Sequence, residues 1–303
     1  MRTTEHLEIY MGTGLWPTDK IFLMIFIVFS MMSITLQVTL RQIAAVLRDG
    51  TLVMRALIIN FVLVPLLAIV LVQLIPMALD VKRGILLLAV IPGDFLAFNF
   101  TRKLCARIEL AAAVLFLLTF MGVLLAPVSA HWILQSQLPV AVPYEKMIKG
   151  ILVYVALPLI AGLALNRSFP KLAAALQRPF TVLSGLAFIG FTIGTGSTKT
   201  AAAKAIAGGG ALVGLALFII GGMMLGWFLG GSDRETRGVM SLSCGLRNLA
   251  VCLAIATSTF PDSNIDLTII ASVALGLPMA LLFTTYQTRK RKKIASHSMA
   301  GAA

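Results

Sequence analysis

The chain has 303 residues, of which 59% are hydrophobic and only 12% charged, with a formal net charge of +13 and a mean hydropathy of +0.96. That composition excludes a water-soluble domain. The basic excess does not point to nucleic acid: Lys and Arg fall between apolar blocks and in the tail Arg289 to Lys293, where they read as topology signals and contacts with membrane lipids.

The apolar residues come in blocks of about 20, the length a helix needs to cross about 30 Å of hydrocarbon. Residues 1–19 are a polar mixture with Glu5 and Glu8, without the basic start and apolar run of a cleaved signal. Helices are then predicted over about 20–40, 51–76, 83–105, 108–135, 145–165, 177–198, 205–231, 236–260 and 264–288, an all-α polytopic membrane protein of about nine transmembrane helices. Gly50, Pro76, Pro170 and the turn Pro261 to Asn264 bend or cap the connections. No gap is long enough for a second domain, so residues 20–288 form one transmembrane unit and 289–303 a basic tail.

With that tail in the cytoplasm of an inner (plasma) membrane protein, an odd number of crossings puts the N-terminus outside. Arg41, Arg48, Lys103, Arg107, Arg167, Lys171, Arg178, Arg234 and Arg237 then lie inside, whereas Lys82, Arg83, Lys199 and Lys204 run against the rule. In the helix 205–231, Gly210, Gly214, Gly222, Gly226 and Gly230 are spaced for close helix approach, either in a homodimer or within the chain. Cys105, Cys244 and Cys252 lack metal-ligand spacing and read as reduced packing residues. The run Gly194 to Thr200 (GTGSTKT) follows a membrane span and has no glycine before its lysine, so it is not a phosphate loop. With no nucleophile, base or metal cluster and no cofactor motif, an enzyme is not expected.

Two segments place helix breakers beside polar residues at mid-membrane depth: Ile91 to Arg102 (IPGDFLAFNFTR) and Ser243 to Asn248 (SCGLRN). Broken helices at corresponding depths in two halves of a chain are tolerable only beside protein or a polar cavity, and they mark a binding site. A buried arginine such as Arg247 costs on the order of 2.5–3.5 kcal/mol and must face a cavity or a partner. Asp94 is the evident partner, as counter-ion or proton carrier. Arg247 itself either clamps carbonyls freed at the break or recognises an anion.

The stretch Gly245 to Ala256 (GLRNLAVCLAIA), with Phe29 to Leu36 (FSMMSITL), Asn60 to Pro65 (NFVLVP), Pro92 and Gly93, and Ala126 and Pro127 ending the fourth helix, resembles the bile acid:sodium symporter family. The resemblance runs from about residue 20 onward. It implies inverted repeats, here four helices plus five, and two broken helices that cross in a core domain. On that mapping the panel domain comprises about 20–40 and 145–198, and the core about 51–135 and 205–288.

The resemblance also implies where sodium-coupled members hold their ions, and this sequence departs from them there. The positions that should carry oxygen ligands are Ala97 and Phe98, Ala111 and Leu115, Ser243 and Arg247, with Asn60 in place of a glutamine on the second helix. A shift of one residue offers Asn99 for Phe98 and rescues one ligand. The expected function is alternating-access transport of a small organic anion without sodium at the family sites. The substrate set is Arg247, Asn248, Asn99, Thr101, Arg102 and Asn60, with Asp94 and Ser243 for coupling or charge balance. Two alternatives stand beside it: an ordinary sodium symporter with other ligands, and a non-transporting receptor.

Overall fold

The computed structural model describes residues 17–93, 95–104, 108–138, 143–208 and 210–300. The described residues form thirteen helices in chain order: α1 Pro17–Thr35, α2 Leu40–Arg48, α3 Gly50–Leu74, α4 Leu79–Val90, α5 Phe95–Leu104, α6 Ile108–Gln137, α7 Tyr144–Ser168, α8 Pro170–Thr198, α9 Thr200–Ala207, α10 Gly210–Leu229, α11 Arg234–Gly245, α12 Leu249–Thr259 and α13 Ile265–Ala300. Among them, eight spans are long and apolar enough to cross a membrane, with α11 and α12 counted together. The short helices α4 and α5, 12 and 10 residues, supply the ninth as a broken span.

The two broken spans are thus the third and the eighth in chain order. Because successive spans alternate in direction, α4–α5 and α11–α12 run antiparallel, each the next to last span of its set in a four-plus-five division. The apolar window of the second is wholly buried, whereas the window of α8 is only 22% buried. Polar residues on a lipid-facing helix would lack partners, so the breaks can exist only inside.

Two proline-linked defects shape the spans. In α3 the turn Ile59–Leu63 is π-helical, and the Val64 N–H bonds back to the Ile59 carbonyl. The Asn60 carbonyl would then pair with the N–H of Pro65, which has none. An equivalent wide turn at Leu152–Ala156 precedes Pro158 in α7. Helix α6 agrees with the expected 108–135 and passes through Pro127, which the resemblance placed at its end, to Gln137, since neighbouring helices support a kinked span.

Helix α1 packs on α7 and α8, while α4, α10, α11 and α13 form a second cluster. The glycines of α10 serve that cluster: a Cβ on Gly222 would stand 2.6 Å from the Cys244 carbonyl oxygen, and Gly226 lies against Met240 and Ser241. Gly210 meets Pro76 and Gly214 meets Met77. These small residues are therefore covered by their own chain, leaving Val213, Leu217 and Phe228 outward.

Two elements were not visible in the apolar pattern. Helix α2 is amphipathic, opened by a capping box between Thr39 and Gln42, and it packs on α6. Helix α9 is a single short surface helix.

Candidate functional site

The two breaks meet and are bonded to each other. The backbone N–H of Asn248 donates to the Ile91 carbonyl at 3.1 Å, and its side-chain Nδ2 donates to the Gly93 carbonyl at 2.9 Å. The Asn248 Oδ1 accepts from the Val251 N–H, capping α12. Gly93 sits at φ +85°, the left-handed region that glycine enters without strain. Thr119 of α6 donates its hydroxyl to the same Gly93 carbonyl at 2.7 Å. The sequence reading missed Thr119, whose only signal is a hydroxyl flanked on both sides by apolar residues.

Arg247 is 3% exposed, and each of its N–H groups faces an oxygen. Nε donates to the Leu88 carbonyl at 2.9 Å. Nη1 donates to Asn60 Oδ1 at 2.8 Å and to the Ser243 carbonyl at 3.4 Å. Nη2 donates to the Asn60 carbonyl at 3.5 Å and, at close range, to the Ala89 carbonyl. A guanidinium has five N–H groups, and all are engaged.

The backbone acceptors lie where helix geometry leaves oxygens free or weakly paired: the Asn60 carbonyl above Pro65, Leu88 and Ala89 at the C-terminus of α4, where Leu88 also takes the Ile91 N–H at 3.3 Å, and Ser243 at that of α11; the Asn60 side chain adds its amide oxygen. Arg247 therefore completes the backbone pairing of three elements. Among the described residues no carboxylate lies within ion-pair distance of it. Asp94, its expected partner, lies outside the described residues.

The other expected site residues divide sharply. Asn60, Thr101, Ser243 and Asn248 are all buried and turned inward: Asn60 Nδ2 donates to the Ala56 carbonyl, Thr101 to Phe98 and Ser243 to Met240. Asn99 lies on the exposed face of α5. Arg102 lies on α5 as well, with its side chain outside the described set. Ala97, Phe98, Ala111 and Leu115 are buried apolar side chains and offer no side-chain oxygen.

Beside the crossing, a narrow crevice is lined by Ile34, Gln37, Val38, Phe98, Ala112, Leu115 and Thr119, between α1 and the pair α5 and α6. Gln37 was not anticipated. At one end of the spans a second polar cluster joins distant elements: Lys199 donates to both oxygens of Asp266 at 3.0 and 2.9 Å and to the Ser263 carbonyl. Asp80 takes Arg83 at 3.1 Å and the Asn264 N–H at 3.0 Å. Two of the four basic residues that run against the charge rule thus have local partners.

A polytopic helical membrane protein with two antiparallel broken spans, bonded to each other at their breaks, is the class that fold and site define. The model of the Sodium Bile acid symporter family matches residues 23–207, and the chain belongs to that family. It is 26% identical over 231 residues to an Arabidopsis thaliana protein named probable sodium/metabolite cotransporter BASS6, chloroplastic, covering 70% of this chain and 54% of the relative. It is 27% identical over 235 residues to the Arabidopsis BASS5 protein of the same description, covering 73% and 56%. With BASS5 of Oryza sativa subsp. indica the figures are 28% over 185 residues, 58% and 45%. The chain spans about half the length of these relatives.

Proposed function

We propose that this protein is a secondary transporter that carries a small organic anion across the plasma membrane by alternating access, and that it does so without sodium at the positions sodium-coupled relatives use. The observation that carries the reading is the exchange of chemistry at those positions. Ala97, Phe98, Ala111 and Leu115 are buried and apolar, and Arg247 stands as a fixed charge whose described acceptors are all neutral oxygens. Sodium needs several oxygens to replace its hydration shell; these side chains supply none.

The anion preference rests on the same geometry. Arg247 contributes positive potential without donating directly to the substrate in this conformation. The N-terminal ends of α5 and α12 meet at the crossing and add to it. Direct contact falls to Gln37 and Thr119, which line the crevice, with Asn99 and Arg102 on the helix that supplies Phe98 to its wall. The apolar walls Ile34, Val38, Phe98 and Leu115 suit an anion with a hydrophobic body. The names of the relatives, sodium/metabolite cotransporters, support the transporter class and leave this chain's ion dependence to experiment.

A thermal-shift screen of organic anions on purified protein, followed by isothermal titration in sodium and in choline, tests the reading. Affinity within about threefold between the two salts, under roughly 0.7 kcal/mol, is expected. A true coupling site would give about 1–3 kcal/mol, so tenfold tightening by sodium would refute it.

A further inference from the structure

The acceptors around Arg247 have a property that its role as a clamp does not require. They converge from elements far apart in sequence: residues 60, 88, 89 and 243. All are neutral oxygens, and two sets belong to the C-terminal ends of α4 and α11, where the helix dipole is negative. Neutral oxygens gathered from separate segments at the negative ends of half-helices are the chemistry with which broken-helix proteins hold a small free cation. Here the cation is covalently attached.

Resting on the sodium-free reading above, we propose that Arg247 is a tethered cation, and that the cage of Asn60, Leu88, Ala89 and Ser243 becomes a binding site for a free monovalent cation once the side chain is removed. Guanidinium is the best-matched ligand, because its planar array of N–H donors meets the same oxygens. A narrow crevice lined by Leu88, Phe218, Gly245, Arg247 and Ser272 adjoins the group. The sodium independence of the wild type is then a property of an occupied seat.

Purified full-length Arg247→Ala and Arg247→Gln are compared with wild type by melting temperature in 0–20 mM guanidinium chloride, with sodium, choline and urea series at matched concentration. Both variants should melt below wild type. Guanidinium should raise the melting temperature of Arg247→Ala saturably, by about 3–5 °C at ten times its dissociation constant, with no rise for urea and none in wild type. Should Arg247→Ala fold poorly, membranes are extracted with and without 20 mM guanidinium; recovery only in its presence supports the proposal. Failure of guanidinium and sodium alike to stabilise either variant, or to restore recovery, overturns it. Sodium-dependent substrate binding by wild type would instead overturn the sodium-free reading, which the melting series does not address.

Discussion

Asn248 joins the two breaks, and its removal tests whether that junction holds the site together. Asn248→Ala deletes the cap on the Val251 N–H at 3.2 Å, a loss of about 0.5–2 kcal/mol. It also deletes the Nδ2 bond to the Gly93 carbonyl at 2.9 Å, worth about 0.5–1.5 kcal/mol while that carbonyl keeps another partner. It does keep one, because Thr119 donates to it at 2.7 Å. The single variant should therefore lose about 1–3.5 kcal/mol. Asn248→Ser should regain the cap portion only, since the shorter hydroxyl retains an acceptor without the amide's reach.

Thr119→Val alone leaves the Gly93 carbonyl with Asn248 and should cost about 0.5–1.5 kcal/mol. In the double variant Asn248→Ala with Thr119→Val the carbonyl has lost both side-chain donors in a dry interior, which adds a penalty of about 1–3 kcal/mol beyond the sum. Reversible unfolding in mixed micelles, followed by tryptophan fluorescence, reads all four corners of the cycle. Additivity within about 0.5 kcal/mol would show that the two residues do not share the carbonyl and would refute the account.

Two further outcomes follow from the same packing. Gly93→Ala places a Cβ 2.5 Å from the Thr119 backbone nitrogen at a φ of +85°. The left-handed strain of about 1–2 kcal/mol and overpacking of about 1–3 kcal/mol together should abolish recovery of monodisperse protein on gel filtration; wild-type yield would contradict the geometry. At the Lys199–Asp266 pair, with side chains 13% and 5% exposed, Asp266→Asn or Lys199→Met should each destabilise by less than the roughly 3–5 kcal/mol of a fully buried pair. Lys199→Met combined with Asp266→Leu should recover most of that loss, so melting temperatures in which the double variant is no better than either single would reject the pairing as a cause of stability.

The sequence made the spans legible because a helix in lipid must be apolar along about 20 residues, and Pro92, Gly93 and Gly245 marked where two of them break. It could not reveal which oxygens complete the breaks. Arg247 was expected either to clamp carbonyls freed at the break or to recognise an anion, with Asp94 as its partner; its described acceptors fit the clamp, but they include Asn60, Leu88 and Ala89, 158 residues or more away, and backbone oxygens carry no residue-type signal. Proline was the one readable clue: Pro65 leaves the Asn60 carbonyl without a donor, and NFVLVP was already visible as a motif. Helix α2 escaped notice because its apolar stripe is only nine residues long and merges with the span before it. Lys199 looked like an exception to the charge rule because its partner, Asp266, is 67 residues on.

The distribution of bonds bears on how such a protein could move. Arg247, Asn248 and Thr119 tie α3, α4, α6, α11 and α12 to one another through carbonyls buried from water, so separating those elements would orphan several polar groups at once. Helices α1, α7 and α8 form the other cluster, itself tied by Asn166, whose Nδ2 donates to the Thr35 and Val38 carbonyls, and by Ser33 with Thr181. Between the clusters the contacts are of a different kind: the Cβ-less face of Gly150 lets Ser258 approach, and the Lys199–Asp266 pair bridges α8 and α13 near the ends of those spans. Sliding past a glycine leaves no polar group orphaned, and an ion pair near the end of a span can exchange its partner for water. Under the proposed function, alternating access would move the two clusters as bodies, and the crevice of Gln37, Phe98 and Leu115 lies on the boundary between them. On the proposed function, a substrate held there would be exposed to one side or the other by that sliding, while the crossing and Arg247 keep their bonds.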